Sequence, residues 1–178
     1  SHYENFPVAS LLLPAHMRPA IAAIYAFARS ADDFADEPGP SADQRLAWLD
    51  DWHQRLHQVR SATVRDAVET RNGSNELIFV ALHDAIRRHT LPLALFDDLL
   101  SAFRQDVSTS RYDTWSDVLD YCRRSANPVG RLVLRVAGYD SPDLDGRSDA
   151  VCTALQLTNF WQDFGVDWRR GRMYLPRE

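Results

Sequence analysis

Lysine is missing from this chain: all 20 basic residues are arginine. Genomic base composition is enough to produce that bias, so no functional conclusion follows from it. Cysteine is scarce. Cys122 and Cys152 fall in stretches that read as helix and lack metal-ligand spacing, so a disulfide framework and a thiolate zinc site are both disfavoured. A reduced, cytoplasmic protein is the default expectation. There is no secretory h-region and no apolar run long enough to span a bilayer, although peripheral membrane contact stays open. A dinucleotide fingerprint of the G-x-G-x-x-G type is also absent. Positive charge is outweighed, with a net charge of −5, which argues against a nucleic-acid partner. Nothing alternates with a strand period over a useful length, and no repeat, low-complexity tract or linker divides the chain. What these absences leave is one all-α domain over residues 1–178, with short connections between antiparallel helices.

At 45% hydrophobic residues the chain can bury one well-formed core. Asn5 to Leu13 is a short lead-in. Pro14 and Pro19 bracket a turn, and Pro19 suits a first helical turn. A first helix follows, with Ile21, Ala22, Ile24, Tyr25, Phe27 and Ala28 at helical spacing. Ser41 is placed to cap a second helix to about Arg60, with Leu46, Leu49, Trp52, Leu56 and Val59 as its apolar face. Asn72-Gly73-Ser74-Asn75 marks a break before a helix from Glu76 to His89. Leu91-Pro92 starts another, to about Val107. Thr114 caps a long helix from Trp115 to about Val136, ended by Gly138 and Pro142, and a last helix runs from Asp149 to Asp167.

The first helix closes on Asp32-Asp33-Phe34-Ala35-Asp36-Glu37, and Pro38-Gly39-Pro40 stops it. Acids at a helix C-terminus oppose the macrodipole, by about 0.3–1 kcal/mol per charge, and they repel one another. Asp32 and Asp36 are spaced i,i+4 and project from one face, a geometry suited to oxygen ligation of Mg²⁺ beside a phosphate. A solvated acidic helix end is the plainer reading of this motif alone. A second stripe alters the balance: Gln156, Asn159, Asp163 and Asp167 share one face of the last helix, as Tyr25, Arg29, Asp32 and Asp36 do in the first. Buried carboxylates without partners are costly. Two such stripes make sense facing each other across a cavity, sharing metal ions and a polyanion.

Two further stretches stay open between readings. In Tyr121-Cys-Arg-Arg-Ser125-Ala-Asn127-Pro128-Val129-Gly130, Pro128 removes a helical amide, so the helix either kinks or breaks into two. A kink would free the Arg124 carbonyl and the Asn127 amide toward a ligand or water. Tyr121 on its own reads as a core tyrosine. In Arg169-Arg170-Gly171-Arg172-Met173-Tyr174, the basic cluster either complements a helix end or lets Arg172 grip a phosphate, with the glycine turning the chain back toward the pocket.

Together these stretches resemble the squalene/phytoene synthase family of isoprenoid synthases. The matching pieces are Tyr25-Ala-Phe-Ala-Arg29 leading into Asp32-Asp33-x-x-Asp36, Tyr121-Cys with Val129-Gly130, and Gln156-x-x-Asn159-x-x-x-Asp163-x-x-x-Asp167 with Arg172-x-Tyr174 and Pro176. The resemblance implies an isoprenoid-synthase helical bundle around a central cavity. In it Asp32, Asp36, Asp163 and Asp167 hold Mg²⁺, with Asp33 and Asn159 assisting. Asn5, Arg29, Asn159 and Arg172 bind the diphosphate of a prenyl substrate. Tyr121, Asn127 and Tyr174 sit at the reacting centre, and Phe6, Tyr25, Phe27, Val129 and Leu155 line the hydrophobic pocket.

Asn5-Phe-Pro-Val-Ala-Ser10 and Ser125-Ala-Asn-Pro-Val-Gly-Arg131 look most like the hydroxysqualene synthase branch of bacterial hopanoid pathways. Gln162 stands where many family members carry Arg. The branch resemblance implies a Mg²⁺-dependent loss of diphosphate from presqualene diphosphate, followed by capture by water to give hydroxysqualene. The alternatives are a head-to-head prenyltransferase joining two farnesyl or longer prenyl diphosphates, and a non-catalytic helical interaction module. The implied setting is cytoplasmic, with room for peripheral contact with the inner membrane and with other hopanoid-pathway enzymes. Family members continue past the second acidic motif with further helices, so a C-terminally truncated form is expected.

Overall fold

The computed structural model describes residues 13–59, 74–169 and 171–178. Asn5 and Phe6, the expected helix end at Arg60, the Asn72-Gly73 part of the break and Arg170 lie outside the described residues. Among the described residues the fold is all-α, without a strand and with one isolated parallel bridge between Arg111 and Met173. No described helix is long and apolar enough to cross a membrane.

The first layer holds four helices. Helix α1 (Arg18–Asp36) starts on Pro19 and buries Ala20, Ile21, Ala23, Ile24, Phe27, Ala31 and Ala35 along one face. Pro38 ends it by forcing Glu37 into an extended conformation, φ −57° and ψ 121°. Helix α2 (Ala42–Val59) is capped as expected: the Gln44 amide donates to Ser41 Oγ, and the Ser41 amide donates back to Gln44 Oε1. Helix α3 (Ser74–His89) and helix α4 (Leu93–Ser108) complete the layer.

Phe27 is the hub of this core. Its ring has no exposed surface and lies 5.5 Å from Phe96, 5.7 Å from Trp52 and 6.1 Å from Phe79. The expectation that Phe27 lines a substrate pocket is therefore corrected, because helices α1 to α4 enclose it on all sides. Arg55 pairs with Glu76 and sits 4.5 Å above the Phe79 ring, tying α2 to α3.

The second layer begins with helix α5 (Trp115–Ser125), capped by a reciprocal box between Thr114 and Asp117. The long helix expected from Trp115 to Val136 is two helices, because Pro128 occupies the first turn of helix α6 (Asn127–Val136). The break is a bend at Ala126 alone, whose amide still donates to the Cys122 carbonyl at 3.0 Å.

Helix α7 (Pro142–Gln162) also differs from expectation. It starts at Pro142 rather than Asp149, since proline at N1 needs no amide partner, and it stops at Asp163. Helix α8 (Phe164–Arg169) follows directly.

Helices α6 and α7 form a tight seam. Arg131 makes a two-pronged pair with Asp149 at 2.9 and 2.5 Å, and Arg135 does the same with Asp145 at 2.9 and 2.6 Å. Hydrogen bonding to Arg135 holds the Asp145 carboxyl below the usual range. Gly130 lies at a close approach of the two helices. A Cβ there would fall 2.2 Å from Ser148 Oγ and 2.6 Å from Cys152 Sγ.

This geometry sets a test. Gly130→Ala is expected to be nearly neutral, because both side chains can rotate away and alanine adds helix propensity. Gly130→Val is expected to lose about 1–3 kcal/mol by overpacking. Urea unfolding midpoints check the ordering.

Candidate active site

The last two turns of α1 carry Arg29, Asp32, Asp33 and Asp36. Arg29 bonds Asp33 at 2.9 Å and lies 3.8 Å from Asp32. The helix has no basic residue in its final turn, so charge relief arrives from other elements. Arg45 of α2 donates to the Ala35 carbonyl at 2.7 Å. Arg172, from the segment after α8, pairs with Asp36 at 2.7 Å.

Gly171 makes the second contact possible. Its φ of +77° turns the chain, and the Arg172 amide then donates to the Asp167 carbonyl at 2.9 Å. The Met173 amide donates to the Ser110 carbonyl, and the Arg177 and Glu178 amides donate to the Asp113 carbonyl, so the tail lies along the α4–α5 connection.

The turn delivers Tyr174 into an aromatic cluster. Its ring stacks on Phe160 at 4.1 Å with 2° between planes, and lies 5.8 Å from Tyr121 and 5.9 Å from Tyr112. Tyr121 is 5% exposed and donates its hydroxyl to Asp106 Oδ2 at 2.8 Å. The other oxygen, Asp106 Oδ1, is buried without a hydrogen-bond partner.

The electrostatics follow from this enclosure. Burial raises the Asp106 carboxyl to about 7, against the lowering effect of the Tyr121 hydroxyl and of Arg172. Burial and the neighbouring Asp36 raise Asp32 to about 6, with Arg29 working in the other direction. Burial also lifts the Tyr121 and Tyr174 phenols above their ordinary range, with the Asp106 charge adding to it. Burial disfavours the Arg172 charge, but Asp36 more than offsets that and strengthens the cation.

The site therefore joins α1, α4, α5 and the tail. Asp32, Asp36, Arg29, Arg172, Tyr121 and Tyr174 are brought to it, and Asp167 reaches it through the Arg172 turn. The second acidic stripe is less enclosed. Asp163 occupies the junction between α7 and α8, and both it and Asn159 are exposed. Among the described residues, no three of these carboxylates bring oxygens within 4.8 Å of one another. Asn127 is buried, and its side-chain oxygen accepts from Thr153 Oγ1 at 2.9 Å. Val129 and Leu155 are exposed, at 42% and 60%, and line no enclosed surface.

Asp106 and Tyr112 escaped the sequence reading. A signal for Asp106 was present: it stands three residues after Phe103 on the buried stripe of α4, where a carboxylate is out of place. Tyr112 had no comparable signal, being in a connection that only the fold brings over Tyr121.

A family model described as squalene/phytoene synthase matches residues 1–178. The chain belongs to the squalene/phytoene synthase family. Among curated proteins, it is 43% identical over 178 residues to a hydroxysqualene synthase of Zymomonas mobilis, covering 98% of this chain and 55% of that protein. It is 34% identical over 187 residues to a 15-cis-phytoene synthase of Synechococcus elongatus, covering 98% and 57%. Among solved structures, squalene synthase HpnC from Alicyclobacillus acidocaldarius superposes with a TM-score of 0.82 at 42% identity, over 99% of this chain and 62% of that one. A dehydrosqualene synthase in complex with ligand gives a TM-score of 0.77 at 27% identity, over 99% and 57%. This squalene/phytoene synthase family chain thus spans about half the length of the curated relatives it matches.

The raised carboxyls of Asp106 and Asp32 carry a stability consequence in metal-free protein. Both groups titrate near 4 when unfolded and higher when folded, so folding takes up protons between those values. The contribution of these two groups to stability is full below about pH 4 and is lost as pH rises through about 6 to 7. Asp106→Asn keeps an acceptor for Tyr121 and is expected to flatten that slope. Urea unfolding at pH 5 and pH 8 in chelator measures it.

Proposed function

We propose that this chain carries the diphosphate-ionising site of an enzyme that converts presqualene diphosphate to hydroxysqualene. The observation that carries the reading is the meeting of Asp32, Asp36, Arg29 and Arg172 beside a buried aromatic cluster. Charge at one wall and aromatic faces at the other are what a diphosphate leaving from an oily chain requires.

The donor set supports a hard divalent cation. The four principal candidate ligands are carboxylates, and burial together with the neighbouring Asp36 raises Asp32, a cost that a cation would relieve. Asp32, Asp36, Asp163 and Asp167 are the residues that would hold Mg²⁺, with Asp33 and Asn159 assisting. When bound, Mg²⁺ supplies Lewis-acid neutralisation of the charge on the departing diphosphate.

The side chains do the rest. Arg29 and Arg172 donate to diphosphate oxygens, Arg172 exchanging part of its bond to Asp36 for the substrate. The carbon–oxygen bond breaks with its electron pair going to diphosphate. The faces of Tyr121 and Tyr174 favour the carbocation that remains. The surrounding apolar side chains delay water until rearrangement is complete. One water then adds to the cation and releases one proton, giving hydroxysqualene. Asn127, fixed through its side-chain oxygen by Thr153, is our candidate for orienting that water. The substrate's long apolar chain also fits peripheral work at the inner membrane and hand-over to other hopanoid-pathway enzymes.

The named phytoene and dehydrosqualene synthases among the relatives favour a second reading, head-to-head condensation of two prenyl diphosphates. Incubation with presqualene diphosphate and Mg²⁺, without a nicotinamide, is expected to yield hydroxysqualene. Unreacted presqualene diphosphate, with new product formed from farnesyl diphosphate alone, would replace the first reading by the second.

Asp32→Asn and Asp163→Asn are each expected to lower turnover by on the order of 10²-fold or more. Their unfolding midpoints should stay level or rise, since each removes a repelling charge. Wild-type turnover in either variant removes that residue from the site.

A further inference from the structure

A cluster of possible metal ligands stands on the face where α2 meets α4. His53 and His57 are one turn apart on α2, and their rings lie 4.6 Å apart. Both aim Nε2 at a single oxygen of Asp97 on α4: His53 at 3.2 Å and His57 at 2.9 Å. Among the described residues this is the only group of three or more His, Cys, Asp or Glu whose ligand atoms all lie within 4.8 Å of one another. The acidic pairs of the candidate active site do not meet that standard.

The spacing has a direct physical meaning. Ligands about 2.1 Å from a tetrahedral metal are separated by roughly 3.4 Å. Here the two nitrogen–oxygen distances already approach that value from below, so a cation requires only a slight parting of the three side chains. Histidines spaced i,i+4 on a helix present their rings to one point without backbone rearrangement. All three side chains are partly exposed, at 38%, 43% and 37%, which leaves a fourth position open to water.

The donor types select the metal. Two imidazole nitrogens with one carboxylate oxygen suit a borderline cation such as Zn²⁺ and not Mg²⁺, which prefers oxygen alone. The site is also remote from the reacting centre. Asp97 precedes Asp106 by nine residues of α4, about 13 Å along the axis.

We propose that His53, His57 and Asp97 bind one Zn²⁺ ion that clamps α2 to α4. The clamp supplements the Arg104–Asp50 pair, 2.8 Å long, which joins the same two helices one turn or more away. The proposal does not depend on the reaction assigned above.

The test is a calorimetric titration with Zn²⁺ in buffer containing excess Mg²⁺, so that the carboxylate site is already occupied. One site of micromolar affinity or tighter is expected, together with a melting temperature that rises with Zn²⁺ and returns on chelation. His57→Ala and Asp97→Asn should each weaken binding at least tenfold. Asp97→Asn retains an acceptor for the histidines, so its melting temperature in chelator should match the parent and separate lost metal from lost fold. Co²⁺ bound in place of Zn²⁺ should show visible absorption that disappears in the His53→Ala, His57→Ala double variant. Affinity no tighter than millimolar, or affinity unchanged in these variants, overturns the proposal.

Discussion

Carboxylate crowding at the end of α1 is the constraint that the remaining structure answers. Asp32, Asp33 and Asp36 occupy the two turns in which the helix dipole is already negative, and α1 offers no cation in its last turn. Relief comes from three separate places. Arg29 reaches down one turn to Asp33, Arg45 crosses from α2 to the Ala35 carbonyl, and Arg172 returns from the far end of the described chain to Asp36. The last of these is the only one that ties distant parts of the fold together, and it works only because Gly171 can adopt a positive φ. A side chain at position 171 would strain the turn that places both Arg172 and Tyr174.

The aromatic cluster depends on the same turn. Tyr174 stacks on Phe160 from α7 and touches Tyr121 from α5, so it reinforces the direct contact between those two helices, whose Tyr121 and Phe160 rings lie 6.0 Å apart. Asp106 sits beneath this layer with one oxygen bonded and one not. A buried carboxyl with an orphaned oxygen opposes stability in its charged form. Its position beside Tyr121, within the field of Arg172, makes it part of the site and not a packing accident.

Much of this was legible from residue types and spacing. The all-α class, the Ser41 and Thr114 caps and the role of Gly171 each rest on local chemistry that the chain spells out. The bend at Pro128 was legible as an alternative between kink and break, and the structure chose a break of one residue because Ala126 keeps its helical hydrogen bond. Phe27 was misread because its helical register places it equally well in a core or at a pocket wall. Only the packing of Trp52, Phe79 and Phe96 around it decides. Asp163 and Asn159 were expected opposite the first acidic pair. Their exposure follows from helix α7, where Phe160 is the one buried residue while Val151, Leu155 and Trp161 are exposed. Enclosure depends on neighbours, and spacing within one helix does not report it.

Charge balance explains why arginine alone cannot complete the proposed site. The proposed site would gather five aspartates, at 32, 33, 36, 163 and 167, against two arginines, at 29 and 172. Raising Asp32 toward protonation removes only part of that excess at neutral pH. A diphosphate adds further negative charge to a surface that already carries it, so direct binding would be repulsive. Arg172 cannot serve the substrate freely while it neutralises Asp36. A divalent cation would resolve both conflicts at once. In the proposed site Asp32, Asp36, Asp163 and Asp167 would hold that cation, which would free the Arg172 guanidinium for the phosphate and supply the attraction that the carboxylates deny the substrate.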